Sequence, residues 1–213
     1  MSAGPITRRT LVALALALPS ARAAFAAAFD VAAPQADDMA LGSPMARVTV
    51  IEYASAGCPH CANWANDVFP AFKARYIDTG KARFVLREVI TGQPTVATAG
   101  FMLARCAPAE KYFDVVDRVF ARQADIFEGK VSAGDALGAV ANSVGMSDEA
   151  FEACLTDQAN LDAVNARSER HATQDGVDTT PTFFVGAKRL DGEQTLDRLA
   201  AAIAAAGKAR GRR

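Results

Sequence analysis

The sequence lacks an excess of charge of either sign and contains only two histidines. Its 213 residues include 23 Lys and Arg and 24 Asp and Glu, which gives a formal net charge of −1. Because nucleic acids and anionic membranes attract basic surfaces, this balance gives no reason to expect either as a partner. The two histidines, His60 and His171, lie far apart, so the His pair of many zinc sites is missing. We expect neither a resident metal nor a cofactor.

Long hydrophobic runs are also absent from the sequence. An apolar run near the N-terminus is short. Residues 11–18 are apolar, follow Arg8 and Arg9, and end before Pro19. A charged start, a short apolar middle and a small-residue end with A-x-A patterns are typical of a secretory signal peptide, and the run is too short to span a bilayer. We therefore predict a signal peptide over residues 1–28 and a periplasmic mature protein. The cleavage site and the export route, general secretory or twin-arginine, stay open.

Cysteine is scarce, and the four cysteines all lie after the predicted signal peptide. Outside the cytoplasm their thiols meet oxidising conditions, and four cysteines allow three connectivities. Cys58 and Cys61 are close enough in sequence to pair locally, which leaves Cys106 to pair with Cys154. We predict a structural disulfide between Cys106 and Cys154 that joins two helices. Two buried free thiols are the alternative.

The first half of the mature chain alternates between strand and helix patterns. Residues 48–54 are rich in β-branched and aromatic side chains and follow a Gly-Ser-Pro turn, which predicts a buried strand. A helical pattern begins after Cys58, is interrupted at Pro70 and ends at Gly80. Residues 82–90 predict a second strand. Strand, helix and strand at this spacing indicate a β-α-β unit with a parallel pair.

The rest of the chain is first helical and then returns to strands. Residues 93–173 show helical spacing and helix-start signals, which predict four or five helices. Strand signals return at residues 182–185, and a turn leads to a second short strand at 188–190. A last helix is predicted over residues 195–206, ending at Gly207. The predicted class is α/β, with a core domain over 41–92 and 174–206 that is interrupted by an all-helical insertion over 93–173.

Two cysteines stand one helical turn apart in the segment Cys58-Pro59-His60-Cys61, shortly after the first predicted strand. Pro59 suits the first helical position, where its missing N–H costs nothing. The Cys58 sulfur then lies beside unpaired backbone N–H groups at the positive end of the helix dipole, which favours the thiolate. Cys61 lies deeper, and a protonated His60 adds to this preference. We interpret the pair as redox-active; a zinc site and a short structural disulfide are the alternatives.

Two segments resemble the DsbA-like thiol oxidoreductases of the thioredoxin superfamily. Residues 50–61 are similar to the active-site strand and turn of that family, and residues 179–185 are similar to its cis-proline loop. The resemblance covers nearly the whole mature chain, because a helical insertion between the strands is also typical of the family. It implies a thioredoxin fold with an inserted all-helical domain, and an enzyme that donates disulfide bonds to unfolded or partly folded exported proteins. It also implies reoxidation by a membrane quinone-linked thiol oxidase, and we expect the protein to be a monomer.

The resemblance also implies roles for individual residues. Cys58 is expected to be the exposed nucleophile and Cys61 its buried partner. Pro59 and His60, between them, are expected to shape the helix start and to tune the thiolate. Glu52, inside the first strand, matches the buried acidic residue of the superfamily, which is thought to move the proton to or from Cys61.

The second matching segment implies a binding loop. Pro181 is expected to form a cis peptide bond, with its loop packed against the Cys58 sulfur, and the exposed backbone of Thr180 is expected to pair with an extended substrate. Threonine before this proline departs from the best-known oxidases, which carry valine there, and resembles the disulfide isomerases. The best-known isomerases have an extra N-terminal dimerisation domain, for which the mature chain has too few residues. We therefore predict a dithiol oxidase; an isomerase or reductase of the same fold, a peptide-binding chaperone and a metal carrier are the alternatives.

Overall fold

The structure, a computed structural model, describes Met1 and residues 35–210. Apart from Met1, the predicted signal peptide over residues 1–28 lies outside the described residues. Among the helices within residues 35–210, none has both the length and the apolar character needed to cross a membrane.

A five-stranded mixed sheet lies at the centre of the described part of the chain. Its strands are β1 Met39–Leu41, β2 Val48–Ala54, β3 Ala82–Glu88, β4 Thr182–Val185 and β5 Lys188–Asp191. Their order across the sheet is β1-β3-β2-β4-β5. The pair β2 and β3 is parallel, as the β-α-β pattern predicts, and the other neighbouring pairs are antiparallel. The sequence does not predict β1, because three residues are too few to show an alternating pattern.

Eight α-helices accompany the sheet within residues 35–210. They are α1 Pro59–Asp67, α2 Phe69–Phe72, α3 Pro94–Cys106, α4 Tyr112–Phe127, α5 Ala133–Ser143, α6 Asp148–Thr156, α7 Gln158–Thr173 and α8 Leu196–Arg210. The helices α3 to α7 all lie between β3 and β4 in sequence, where the helical spacing predicts them. The α/β class and the helical insertion are therefore confirmed.

The helix predicted after Cys58 is divided into segments. Val68 separates α1 from α2, and a π-helical turn over Lys73–Ile77 follows α2. Pro70 lies in the first turn of α2, where its missing N–H breaks no helical hydrogen bond. The interruption that the sequence predicts here is confirmed, and it occurs on the N-terminal side of the proline.

Two element ends differ from the predictions. The last helix continues through Gly207 to Arg210. A glycine inside a helix costs only about 1 kcal/mol relative to alanine, and the strong helix formers around it offset that cost. The strand β3 ends at Glu88, before the predicted end, because the N–H of Ile90 donates to Ser168 Oγ at 2.8 Å instead of to a neighbouring strand.

Apolar side chains cover both faces of the sheet. Along β2, Val50 faces a large cluster that includes residues of α1, α4 and α8, and Ile51 faces a smaller cluster on the opposite side. In the large cluster, the ring of Trp64 in α1 lies 4.7 Å from the ring of Phe183 in β4, measured between centroids. Because side chains alternate along a strand, Glu52 lies on the same face as Val50. A carboxyl group is therefore placed inside the larger core.

A buried ion-pair cluster connects the inserted helices to the sheet. The Glu88 carboxylate, at the end of β3, is fully buried and accepts hydrogen bonds from Arg105 of α3 and Arg167 of α7 at 2.5 and 2.6 Å. The hydroxyl of Tyr112 in α4 donates to the same carboxylate at 2.9 Å. A buried charge is tolerated when it is paired and hydrogen-bonded in this way. Three inserted helices are thereby held at one end of a central strand.

Candidate active site

The Cys58–Cys61 pair lies at the N-terminus of α1, after the turn that follows β2. Cys58 is the N-cap residue, with φ −104° and ψ 118°, and Pro59 follows it in the first turn. The backbone carbonyl of Cys58 accepts hydrogen bonds from the N–H groups of Cys61 and Ala62 at 3.1 and 3.2 Å. The two thiols are not bonded to each other in the structure. The extended backbone of Cys58 and the fixed φ of Pro59 place the first sulfur at the tip of the helix.

The two sulfurs differ in their access to solvent. Cys58 is 7% exposed, whereas Cys61 is fully buried. The resemblance implies an exposed Cys58. In the structure Cys58 is mostly buried, because the loop before β4 covers it. The carbonyl oxygen of Thr180 in that loop lies 3.3 Å from Cys58 Sγ. The remaining opening still makes Cys58, and not Cys61, the sulfur that an incoming thiolate can reach.

Hydrogen bonds lower the pKa of Cys58 to about 5. The Cys61 thiol is the largest cause; burial opposes it, and the Thr180 side chain and the backbone N–H groups of Cys61 and His60 add to it. These donors stabilise the thiolate relative to the thiol. The Thr180 carbonyl oxygen has the opposite effect, because it can accept a hydrogen bond from the thiol but not from the thiolate. The donors prevail, so the reduced pair carries a Cys58 thiolate at neutral pH.

Cys61 has the opposite environment. Burial raises the pKa of Cys61 well above its ordinary value, and the hydrogen bond with Cys58 and the charge of Glu52 raise it further. The backbone N–H of Ser55 donates to Cys61 Sγ at 3.5 Å, which opposes this shift. In the reduced pair, Cys58 therefore carries the charge and Cys61 keeps its proton.

Glu52 lies in the central strand β2, between β3 and β4, and is 2% exposed. Its Oε1 has no hydrogen-bond partner among the described residues. Burial raises the pKa of Glu52 well above its ordinary value, and the charges of Asp117 and Cys58 raise it further. A carboxyl group whose pKa is raised in this way can act as an acid toward a nearby thiolate.

The loop before β4 brings Pro181 to the pair. The Thr180–Pro181 peptide bond is cis, as the resemblance implies. The Thr180 hydroxyl oxygen lies 2.6 Å from the hydroxyl oxygen of Thr91, in the segment after β3. This hydrogen bond holds Thr180, with its carbonyl over Cys58 Sγ, although Cys58 and Thr180 are 122 positions apart in sequence.

His60 is exposed and forms an ion pair that the sequence does not reveal. Its Nδ1 lies 2.6 Å from Glu193 Oε1, in the loop between β5 and α8, and Asn63 Nδ2 donates to the same oxygen at 3.4 Å. Glu193 raises the pKa of His60, and the charge of Cys58 adds a smaller contribution. The charge at His60 therefore depends on a residue 133 positions away, and no sequence signal connects the two.

Two buried hydrogen bonds support the segments around the pair, and neither is among the contacts predicted from the sequence. Gln123 Nε2 of α4 donates to the carbonyl oxygen of Ala56 at 2.7 Å, and Trp64 Nε1 donates to the carbonyl oxygen of Gln194 at 3.0 Å. Gln123 continues the apolar stripe of α4, and a polar residue on such a stripe is the signal that could have indicated this role, because buried polar groups need partners.

The other two cysteines do not extend the pair into a larger cluster. Cys106, at the end of α3, is joined by a disulfide to Cys154 in α6, with the two Cα atoms 6.0 Å apart. This is the pairing that the sequence predicts by elimination. Within residues 35–210, no group of three or more His, Cys, Asp or Glu side chains is arranged to hold a metal ion.

Comparisons with known proteins agree with this geometry. The family model described as thioredoxin matches residues 35–205. The chain belongs to the thioredoxin family. Among solved thioredoxin-family structures, alpha-DsbA1 of Wolbachia pipientis superposes with a TM-score of 0.75 and 27% identity, covering 84% of this chain and 96% of that chain. DsbA of Chlamydia trachomatis superposes with a TM-score of 0.68 at 19% identity, over 82% and 93% of the two chains, and supports the fold alone. The thioredoxin fold with inserted helices and the resemblance to DsbA-like proteins are confirmed.

Two curated relatives carry names from disulfide chemistry. A predicted protein-disulfide oxidoreductase of Rickettsia typhi is 30% identical over 167 residues, which cover 78% of this chain and 61% of the relative. The disulfide bond formation protein D of Bacillus subtilis is 26% identical over 163 residues, covering 75% of this chain and 72% of the relative. The chain thus spans about three fifths of the length of the Rickettsia protein.

Proposed function

We propose that this protein is an exported thiol:disulfide oxidoreductase that donates disulfide bonds to other proteins through Cys58 and Cys61. The observation that carries the proposal is the asymmetry of the pair, because one sulfur is reachable with a pKa of about 5 and the other is buried with a raised pKa. A stabilised Cys58 thiolate favours the reduced pair, which makes the disulfide easier to reduce and therefore a stronger oxidant. The names of the curated relatives support the same chemistry.

The proposed reaction is a two-step thiol exchange. A substrate thiolate attacks Cys58 Sγ of the Cys58–Cys61 disulfide, the bond between the two protein sulfurs breaks, and a mixed disulfide with the substrate forms. The electron pair stays on Cys61, which takes a proton from Glu52. A second substrate thiolate then attacks the substrate sulfur of the mixed disulfide and expels Cys58 as a thiolate. The substrate loses two electrons, and the Cys58–Cys61 pair gains them.

We propose that the loop at Thr180 and Pro181 binds the substrate as an extended peptide. A proline has no N–H that would otherwise need a partner beside the reacting sulfurs, and exposed backbone in an extended segment can pair with an added strand. The hydrogen bond between Thr180 and Thr91 holds this loop in place before a substrate arrives. Pro59 shapes the helix start, and His60, paired with Glu193, adjusts the charge beside Cys58.

We further propose that the protein acts as a monomer in the periplasm, after removal of about the first 28 residues, and that a membrane quinone-linked thiol oxidase restores its disulfide. The charged start, short apolar run and small-residue end of the N-terminus support export. N-terminal sequencing of the protein from a periplasmic extract is expected to begin after one of the Ala-x-Ala sites. A full-length chain confined to the cytoplasm would contradict export.

A disulfide isomerase or reductase is the second candidate, and Thr180 favours it. Threonine before the cis-proline is the feature in which the chain resembles isomerases, and the structure shows its hydroxyl engaged with Thr91. An isomerase needs a reduced Cys58 in the cell, whereas a donor needs the Cys58–Cys61 disulfide. The two candidates therefore use the same site, but the isomerase is active with the pair reduced and the donor with the pair oxidised.

The redox equilibrium of the pair with glutathione tests the proposal. We expect a reduction potential closer to the roughly −120 mV of a strong oxidant than to the roughly −270 mV of thioredoxin. In parallel, the oxidised protein should form disulfides in reduced ribonuclease faster than the reduced protein reshuffles scrambled ribonuclease. A Cys58→Ser variant should lose both activities, and a variant with alanine at Cys106 and Cys154 should keep them. A thioredoxin-like potential with faster reshuffling would support the second candidate instead.

A further inference from the structure

A narrow crevice connects the surface of α4 with the buried carboxyl group of Glu52. Glu52 and Asp117 both line it, and its walls are apolar, with Trp64 of α1, Phe84 of β3 and Phe120 of α4 among them. Its volume is about 10 Å³, which is the lower limit of the space that a single water molecule needs. A carboxyl group at the core of the protein therefore lines the same small, partly open space as a carboxyl group of an inserted helix.

The two carboxyl groups that line the crevice differ in their exposure to solvent. Glu52 is 2% exposed, and its Oε1 has no hydrogen-bond partner in the part of the chain that the structure describes. Asp117 belongs to α4, and its side chain is exposed. A water molecule in the crevice would give the unpartnered Oε1 a hydrogen bond, and Asp117 would be in contact with solvent.

Burial raises the pKa of both carboxyl groups that line the crevice. Although Asp117 is exposed, desolvation by the protein around it raises the pKa of its carboxyl group to about 6; the charge of Asp114 adds to this, and Lys73 opposes it. Lys73 is itself engaged by Asp78, with 2.7 Å between Nζ and Oδ1. Burial also raises the pKa of Glu52 well above its ordinary value, and the charges of Asp117 and Cys58 contribute.

We propose that Asp117 exchanges protons between solvent and Glu52 through one water molecule in the crevice, so that Cys61 gains and loses its proton through a relay of two carboxyl groups. This proposal rests on the proposed redox function of Cys58 and Cys61. Asp117 touches neither sulfur and is a positioning residue that acts through Glu52. Cys61 is fully buried, and the crevice supplies the route to solvent that its proton needs.

The proton transfers balance the exchange reaction. When a substrate thiolate opens the disulfide, the Cys61 thiolate takes the proton of the Glu52 carboxyl group. The Glu52 carboxylate then takes a proton from the water, which takes one from the Asp117 carboxyl group, and solvent reprotonates Asp117. During reoxidation, Cys61 returns its proton by the same route in the opposite direction. No electrons move along the relay, and no further reactant is needed.

Single-turnover reduction of the disulfide tests the relay. The oxidised protein is mixed with excess reduced glutathione, and the fluorescence of Trp64, the only tryptophan of the chain, reports the reaction. We expect Asp117→Asn to slow the reduction about tenfold, below the range for removing a direct general acid, and Asp117→Glu to restore most of the rate. The matched control is Asp125→Asn, on the same helix and about two helical turns away, which should leave the rate unchanged.

The direction of the effect separates a relay from simple electrostatics. The charge of Asp117 raises the pKa of Glu52, so its removal alone makes Glu52 a stronger acid and would leave the reduction equally fast or faster. Added imidazole should also speed the Asp117→Asn variant and leave the wild-type rate unchanged, because a soluble buffer can replace a lost proton donor.

An Asp117→Asn variant that reacts as fast as Asp125→Asn, or that gains nothing from imidazole, would overturn the relay. If the proposed function were wrong, the wild-type protein itself would not oxidise a reduced peptide. This result distinguishes a failure of the proposed function from a failure of the relay. The reduction potential is measured for both asparagine variants, and we expect it to stay close to the wild-type value for Asp117→Asn, because a relay changes a rate and not an equilibrium.

Discussion

His60 Nδ1 lies 2.6 Å from Glu193 Oε1, and this ion pair connects the N-terminal turn of α1 to the loop between β5 and α8. His60, one of the two residues between the cysteines, is therefore not independent of the rest of the fold. Glu193, which follows the last strand of the sheet, raises the pKa of His60, and the charge of the Cys58 thiolate raises it further.

Replacing Glu193 with glutamine is expected to lower the pKa of His60, because the hydrogen bond and the charge that raise it are removed. NMR titration of the imidazole measures this, and buried His171, whose pKa is lowered mainly by burial, provides a second signal that should not move. Asp191→Asn, in the same region of the chain, is the control. We also expect the pKa of His60 to be higher in the reduced protein than in the oxidised protein, since only the reduced form carries the Cys58 thiolate; equal values would contradict the coupling.

The Cys58 thiolate is expected to titrate with a midpoint of about 5, followed by thiolate absorbance or by the rate of alkylation in the reduced protein. Because the Cys61 thiol is the largest cause of the low pKa, Cys61→Ala should raise the midpoint, and Cys61→Ser, which keeps a donor, should raise it less. A midpoint near that of free cysteine, about 8.5, would remove the basis of the proposed function.

The same shift predicts how the stability of the reduced protein depends on pH. The pKa of Cys58 is depressed in the folded state, so its contribution to stability is complete above the unfolded value of about 8.5 and is lost as the pH falls to about 5. The oxidised protein has no such group. Urea unfolding of both forms across this range should show the reduced form gaining stability relative to the oxidised form as the pH rises; a constant difference would be the contrary result.

Glu88→Gln is expected to reduce the free energy of unfolding by about 3–5 kcal/mol, because it leaves Arg105 and Arg167 beside a neutral group in a buried cluster. Denaturant unfolding measures the loss. The matched control is Glu128→Gln, which breaks an exposed pair with Lys130 and should change the free energy of unfolding very little. A similar small loss for both variants would show that the Glu88 cluster does not hold the inserted helices.

Removing the disulfide between Cys106 and Cys154 with two alanine substitutions is expected to lower stability by about 4 kcal/mol, since the bond closes a loop across 48 sequence positions. The entropy of the unfolded chain is the reason, and the realistic range is about 0–5 kcal/mol. The titration of Cys58 should stay as in the wild-type protein. A shifted Cys58 midpoint in this variant would mean that the two cysteine pairs are coupled.

Local sequence is enough to specify the reactive segment and the main strands. The order Cys58-Pro59-His60-Cys61 sets a helix start, because a proline in the first turn and an extended residue before it act over a few bonds. The strands at residues 48–54 and 182–185 occur where their composition predicts them. Glu52 can be recognised as unusual for the same local reason, since a charged residue interrupts an apolar strand.

The residues that surround the Cys58–Cys61 segment are brought there by tertiary packing, so they could not be predicted from the sequence. Glu193, Asp117 and Thr91 reach the site from three separate parts of the chain, and a partner that arrives from a distant loop or helix leaves no periodicity in the sequence. Burial by the folded chain likewise separates the pKa values of Cys58 and Cys61, because desolvation and hydrogen bonds act only once the helix, the sheet and the cis-proline loop are in place.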